Sequence, residues 1–206
     1  MGLFIVIEGL DGAGSSTQVV KLANYLKQRG YKVITTKEPT NNIIGGLIKG
    51  QLTHDWNTSP ECLQLLFAAD RAHHLEKTIS PALEDNYIVI SDRYIFSTIA
   101  FGAININDWN WLKEINKQFR FPDLYFIIDT DPEECIKRLK KTRYKLELFE
   151  DIEKLKKVHK NFLKLVEEYK PKHNIHIING NQLVEDVFDD IKAIIKPKLN
   201  SLEPLL

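Results

Sequence analysis

Glu8-Gly9-Leu10-Asp11-Gly12-Ala13-Gly14-Ser15-Ser16-Thr17 stands between an apolar run, Leu3–Ile7, and a helical pattern that opens at residue 15. Gly9 and Gly14 have the spacing of a phosphate loop, G-x-x-x-x-G-K-[ST]. Its glycines let backbone N–H groups converge on phosphate oxygens at a helix N-terminus. Ser16 takes the place of the hydroxyl that holds Mg²⁺ in such loops, and Ser15 takes the place of the lysine. A glycine-rich turn capped by Ser15 or Ser16 would use the same residue types. Gly12-Ala13-Gly14 also fits the start of a dinucleotide fingerprint, with Glu38 ending the next strand, but Thr17 then falls where close helix packing wants glycine. The Gly9–Gly14 spacing favours the phosphate cradle.

Other strand ends are polar as well. Tyr87–Ile90 runs into Ser91-Asp92-Arg93-Tyr94, where Asp92 can hold a Mg²⁺-bound water and Arg93 can clamp a phosphate. Asp92 is equally a good helix N-cap. After Ser59-Pro60-Glu61, a capping start, the apolar stripe Leu63, Leu66, Phe67 meets Asp70, Arg71 and His74 at helical spacing. Phe67 offers a flat face to a base and Arg71 a nearby charge; alternatively Arg71 pairs with Asp70 or Glu84 inside the core. His73 and His74 read as solvated or structural. Lys37-Glu38-Pro39-Thr40 leaves Glu38 at the edge of the same cleft. Asp131, Glu133 and Glu134 suit a helix start and are read as structural. Lys137, Arg138, Lys140, Lys141, Arg143 and Lys145 crowd one helix end, either as a solvated basic face or as a lid that closes over phosphates.

The elements that must position these groups alternate along the chain. Apolar runs at Leu3–Ile7, Tyr31–Thr35, Tyr87–Ile90, Leu124–Ile128 and Ile175–Ile178 are separated by amphipathic stretches near 15–29, 59–84, 93–103, 132–141, 150–169 and 183–196. That pattern predicts an open, doubly wound parallel sheet, with ligands outside the carboxyl ends of its strands. Pro197–Leu206 has no periodicity and is expected to trail over the surface. A length of 206 residues suits a single domain. Lys+Arg and Asp+Glu balance at 28 each, so no nucleic-acid partner is expected. Apolar runs stay within about six residues, far below the roughly 20 of a membrane span, so no membrane partner is expected either. Met1–Val6 reads as neither a secretory leader nor a myristoylation signal. Cys62 and Cys135 fit no disulfide framework or zinc spacing, and a reduced, cytoplasmic protein with two buried cysteines is expected.

Five blocks in order carry a resemblance: Glu8-Gly9-Leu10-Asp11-Gly12; Lys37-Glu38-Pro39-Thr40; Leu66-Phe67-Ala68-Ala69-Asp70-Arg71; Asp92-Arg93-Tyr94 with Ser97, Ala100 and Phe101; and Pro122-Asp123-Leu124. Over nearly its whole length the chain resembles the thymidylate kinases, of the nucleoside monophosphate kinase class. The resemblance implies a three-layer α/β/α P-loop kinase fold with a five-stranded parallel sheet. It implies one domain over 1–206 with a short lid at about 140–150. The activity implied is transfer of the γ-phosphoryl of ATP to dTMP, with Mg²⁺, in a homodimer that pairs through helices flanking the third strand. Gly9, Leu10, Asp11, Gly12, Ala13, Gly14, Ser15, Ser16, Thr17, Arg138 and Asn181 would surround ATP, the last near adenine. Ser16 and Asp92 would serve the metal. Phe67 would stack on thymine, with Arg71 and Ser97 at the base, Glu38 at the cleft edge, and Phe101 against the 2′ position. Arg93 would hold the acceptor phosphate with Lys37 or Lys49, and Asp11, Arg93 and Arg143 would be catalytic.

Two departures stand out. Ser15 removes the loop lysine, and Glu147-Leu148-Phe149-Glu150 replaces a lid pattern Asp-Arg-Phe-Glu. Loss of one preorganised donor typically costs about 100–1000-fold in rate. The expectation is an active kinase in which Arg143, Lys141 or Lys145 supplies the missing charge. The competing readings are a kinase for another pyrimidine acceptor, such as dUMP or a deoxynucleoside, and a nucleotide-binding module that has lost catalysis.

Overall fold

The computed structural model describes residues 2–142 and 152–199. The apolar runs form five parallel strands, β1 (Leu3–Gly9), β2 (Val33–Lys37), β3 (Ile88–Asp92), β4 (Leu124–Asp129) and β5 (Ile175–Asn179), in the order β2-β3-β1-β4-β5. Continuous apolar sequence is what a strand covered on both faces requires. Phe4, Ile5, Val6, Ile7, Val89, Ile90, Tyr125 and Phe126 are all fully buried. The helices among the described residues are α1 (Ser15–Lys27), α2 (Ile43–Leu52), α3 (Pro60–His74), α4 (Ser80–Glu84), α5 (Ile95–Gly102), α6 (Trp109–Glu114), α7 (Pro132–Thr142), α8 (Ile152–Tyr169) and α9 (Val184–Leu199). α1 packs on β1–β3 and α9, while α5 packs on β1, α3 and α8, giving the three layers.

Several boundaries differ from the sequence reading, each for a local reason. The stretch expected as one helix over 59–84 is interrupted by a π-helical turn, Leu75–Ile79. Pro81 follows it and has no N–H to continue the ladder. α2 was not expected, because Gly45, Gly46 and Gly50 lower its helix propensity. Gly45 is required there: a Cβ would lie 2.1 Å from the Thr40 carbonyl oxygen. The Asn42 side chain caps α2 by accepting from the Gly45 N–H. α6, also unexpected, is capped in the same way by Asp108. α9 runs through Pro197 to Leu199 instead of stopping at 196. Cys135 is buried as expected, whereas Cys62 is only half-buried.

Parallel register brings the strand ends to one rim. Lys37 pairs with Asp92, Ile7 with Asp92, Gly9 with Ile128, and Asp129 with Asn179. At the opposite edge, the Pro122-Asp123-Leu124 block sets the β1–β4 register. The Phe4 N–H donates to Asp123 Oδ2 at 2.8 Å, and the Asp123 N–H donates to the Phe4 carbonyl at 2.8 Å. Asp123→Ala strands the Phe4 N–H. The expected loss is about 1–2 kcal/mol in denaturant unfolding, with turnover unchanged because the site lies at the far rim.

Candidate active site

The loop between β1 and α1 turns on two left-handed glycines, Gly12 (φ 82°) and Gly14 (φ 103°). A Cβ on Gly12 would lie 2.6 Å from the Cys135 carbonyl oxygen, so the loop needs glycine there. A Cβ on Gly14 would meet nothing within 4 Å, so the space before the α1 N-terminus is open. Free N–H groups facing open space at a helix start form an anion site. The Ala13 carbonyl accepts from Thr130 Oγ1 at 3.2 Å and from Arg138 Nη1 at 3.3 Å, while Arg138 Nη2 donates to the Gly180 carbonyl at 3.1 Å. Arg138 thus braces the loop against the segment that follows β5. In that segment Asn181 Oδ1 accepts from the Asp131 N–H at 2.9 Å.

Asp92 does not cap a helix. α5 opens three residues later with no side-chain cap, and both Asp92 oxygens accept from the loop. Ser15 Oγ donates to Oδ1 at 3.1 Å, and Ser16 Oγ donates to Oδ2. Ser15 is therefore turned away from the open space that a lysine in its place would enter. Oxygen donors from one carboxylate and one hydroxyl suit Mg²⁺, which is held largely by substrate phosphates and water. No group of three or more His, Cys, Asp or Glu among the described residues could hold a metal by itself.

Glu8 builds the next turn. It is fully buried, and its oxygens accept from the Tyr94 N–H (2.8 Å), the Ser97 N–H (3.1 Å), Tyr125 Oη (2.7 Å) and Ser97 Oγ. Burial raises its carboxyl above the usual range, against the lowering effect of the Ser97 and Tyr125 hydrogen bonds and of Arg93. These bonds hold Arg93 at φ 68°, a left-handed position rare for a large side chain. From there Arg93 Nη2 reaches Asp11 Oδ1 at 2.6 Å and Nη1 reaches Ser97 Oγ at 2.9 Å. Burial works against its charge, and the carboxylates of Asp11, Asp92 and Glu8 outweigh burial to hold its pKa above the ordinary value.

A cleft of about 370 Å³ opens beside this turn, with Phe67 and Phe101 in its wall and Asp11, Arg93, Lys37 and Lys49 toward the phosphate loop. The volume suits a small ligand. The Arg93 guanidinium lies 5.3 Å from the centre of the Phe101 ring. The structure does not bring Arg71 to the cleft surface. It is fully buried and donates to Glu38 Oε2 (2.6 Å), Thr98 Oγ1 (2.8 Å) and Asn116 Oδ1. Its acidic partner is thus Glu38 rather than Asp70 or Glu84. Asp70 instead accepts from the Thr40 N–H (2.8 Å) and Thr40 Oγ1 (2.6 Å). His74 is structural, set between Glu38 Oε1 (3.0 Å) and Thr36 Oγ1 (2.6 Å).

Comparison with known proteins adds an independent finding. The thymidylate kinase family description matches residues 7–191. A probable thymidylate kinase from Thermococcus gammatolerans is 39% identical over 209 residues, covering 98% of this chain and 99% of the relative. A thymidylate kinase from Caldicellulosiruptor saccharolyticus is 37% identical, covering 94% and 96%. A solved structure of thymidylate kinase from Candida albicans superimposes with a TM-score of 0.84 at 28% identity, covering 97% of this chain and 93% of that one. The chain belongs to the thymidylate kinase family. The three-layer fold and five-stranded parallel sheet implied by the resemblance are those observed.

Within this member of the family, the residues assigned to ATP from Gly9 to Thr17 form one loop and helix start, and Asp11, Arg93, Ser97, Phe67 and Phe101 share one cleft. Arg71 stands behind that cleft, while Glu38, 4% exposed, lines it and holds Arg71 from there. Arg143 and Lys145, and with them most of the expected lid, lie outside the described residues. The sequence reading gave no role to Glu8, whose signal is a carboxylate continuing an apolar strand. It also passed over Gln64, whose signal is its place one turn before Phe67 on the same helix face.

Lys37 and Lys49 converge on the acceptor cleft. Burial lowers the Lys49 pKa and the nearby Lys37 charge lowers it further, against the raising effect of Asp70. A lysine with a lowered pKa deprotonates earlier as pH rises. The affinity it lends an anionic ligand is then full at neutral pH and lost on the alkaline side, sooner than an ordinary lysine would lose it. KM for the anionic acceptor is expected to rise at alkaline pH, and Lys49→Arg is expected to carry that limb to higher pH. A pH series of initial rates reads this, and an unmoved limb would remove Lys49 from phosphate binding.

Proposed function

We propose that this family member transfers the γ-phosphoryl group of ATP to dTMP, giving dTDP and ADP, as a cytoplasmic homodimer. The observation that carries the reading is the Asp11–Arg93 pair. It joins the phosphate loop to a cleft walled by two aromatic rings, so donor and acceptor phosphates meet at one guanidinium.

The loop amides at the α1 N-terminus hold the donor's phosphates. Phe67 and Phe101 form the slot for base and sugar, and Arg93 exchanges part of its Asp11 contact for the acceptor phosphate, helped by Lys37 and Lys49. Asp11 keeps Arg93 aimed between the two nucleotides. The nucleophile is an oxygen of an already ionised phosphate, so the task of the protein is in-line positioning and charge neutralisation. Ser16 and Asp92 would hold Mg²⁺, which when bound neutralises donor phosphate charge. Arg71 supports the base from behind through Thr98 and the cleft floor. Arg143 and Lys145, with Lys141 at the end of α7, supply the cation that Ser15 lacks.

The homodimer reading is supported by exposed apolar side chains. Ile43 is 86% exposed, Leu47 46% and Leu65 52%, all on the paired helices α2 and α3.

Coupled ADP release across a nucleotide panel tests the reaction. dTMP is expected to be the preferred acceptor, and Arg93→Ala to lose about 100–1000-fold in kcat/KM. Arg143→Ala or Lys145→Ala is expected to slow turnover in the same assay. ATP and dTMP binding without turnover would overturn the assignment, and unchanged rates in both lid variants would overturn the source of the charge. Sedimentation of the same preparation checks the dimer.

A further inference from the structure

Gln64 lies in the wall of the acceptor cleft, one turn before Phe67 on α3. It is only 5% exposed, and its Oε1 is buried with no hydrogen-bond partner. The fold makes room for it. A Cβ on Gly102 of α5 would stand 2.8 Å from Gln64 Cδ and 2.9 Å from Oε1. A buried carbonyl without a donor is costly, and methionine or leucine would fill the same space without that cost. A carboxamide kept in such a place, inside a binding cleft, points to a donor that arrives with the ligand.

The chemistry of that donor follows from what the neighbouring groups have already committed. The Ser97 hydroxyl donates to Glu8 and accepts from Arg93. The Thr98 hydroxyl accepts from Arg71, and Arg71 is held by Glu38 and Asn116 behind the wall. Two buried polar atoms on this stretch of α3 are left over, Arg71 Nε, a donor, and Gln64 Oε1, and of the two only Gln64 lines the cleft and offers an acceptor. A pyrimidine joined to its sugar at N1 has one ring N–H when it is thymine or uracil, at N3, flanked by carbonyl oxygens. Cytosine has no proton there. We propose that the Gln64 carboxamide, whose Oε1 is covered beside Gly102, turns that oxygen to the ligand on binding and accepts the N3–H of the acceptor's base, making Gln64 the residue that reads the imide edge.

This deepens the dTMP reading and rests on it. It also separates two kinds of selection. Uracil shows the same imide edge, so Gln64 selects thymine and uracil over cytosine and leaves recognition of the 5-methyl group to the apolar wall.

The test compares dTMP with N3-methyl-dTMP in the unmodified protein and in Gln64→Met, which keeps the volume and removes the acceptor. Gln64→Met is expected to raise KM for dTMP about tenfold with kcat within about threefold, the scale of one lost hydrogen bond. The penalty for N3-methylation is expected to shrink by a similar factor. The thermal midpoint of the ligand-free variant is expected to hold or rise, because an unsatisfied polar group is gone; a purely structural glutamine would lower it. Gln64→Glu retains an acceptor and is expected to keep the N3-methyl penalty, which gives a second reading if the methionine variant does not fold. Equal N3-methyl penalties with and without Gln64, or a penalty lost in Gln64→Glu, overturn the assignment while dTMP turnover stands. Absence of dTMP turnover in the unmodified protein overturns the parent reading and this one together.

Discussion

Glu8 brings a carboxyl group into the sheet with no exposure to solvent, and four donors from three segments converge on it. A buried carboxyl is tolerated only when its oxygens are satisfied, so the turn after β3, the start of α5 and the Tyr125 hydroxyl of β4 are drawn to one point. The turn is held tightly enough to keep Arg93 at a positive φ. That backbone setting, with the Ser97 hydroxyl and the Asp11 carboxylate as partners, aims the guanidinium across the rim. The acceptor side of the site is thus built from the strand that also starts the phosphate loop. A displacement of one is felt by the other.

A second tie completes the coupling. Asp92 precedes Arg93 and takes both serine hydroxyls at the start of α1, while its Cα neighbours in the sheet are Ile7 and Lys37. Ser15 therefore does more than remove a charge, since its hydroxyl is engaged with Asp92, the carboxylate proposed for the metal. In the proposed reading the balance of positive charge shifts outward, to Lys37 and Lys49, which line the cleft, and to the basic residues at and after the end of α7. Phosphoryl transfer depends on the sum of positioned charge around the phosphates. A redistribution of this kind retains the chemistry if the replacement cations are brought close before reaction.

How much of this was legible beforehand depended on whether local sequence or tertiary packing decided the feature. The strands were readable because Leu3–Ile7 and Leu124–Ile128 are apolar on both faces, as only central parallel strands need be. The phosphate loop was readable because glycine spacing is a backbone requirement. α2 was hidden by its glycines, of which Gly45 is there to let Thr40 approach, a constraint visible only in three dimensions. Arg71 was placed at the base by resemblance, yet α3 turns it into the core, where Glu38 and Asn116 hold it. Gln64 could not be distinguished from a solvated glutamine until its burial was known. No helix among the described residues is long and apolar enough to cross a membrane, consistent with the short apolar runs.

The central claim is that the buried Glu8 carboxylate aims Arg93 and through it creates acceptor affinity. Its most direct test is calorimetric titration of dTMP into Glu8→Gln, with unfolding measured on the same sample. An amide offers one acceptor oxygen and brings an NH₂ against converging donors, so the turn loses its anchor while the side-chain volume is kept. The account predicts a folded variant whose dTMP affinity falls by about tenfold or more, the scale of one misdirected charged contact. A folded Glu8→Gln protein that binds dTMP as tightly as the unmodified chain would contradict it.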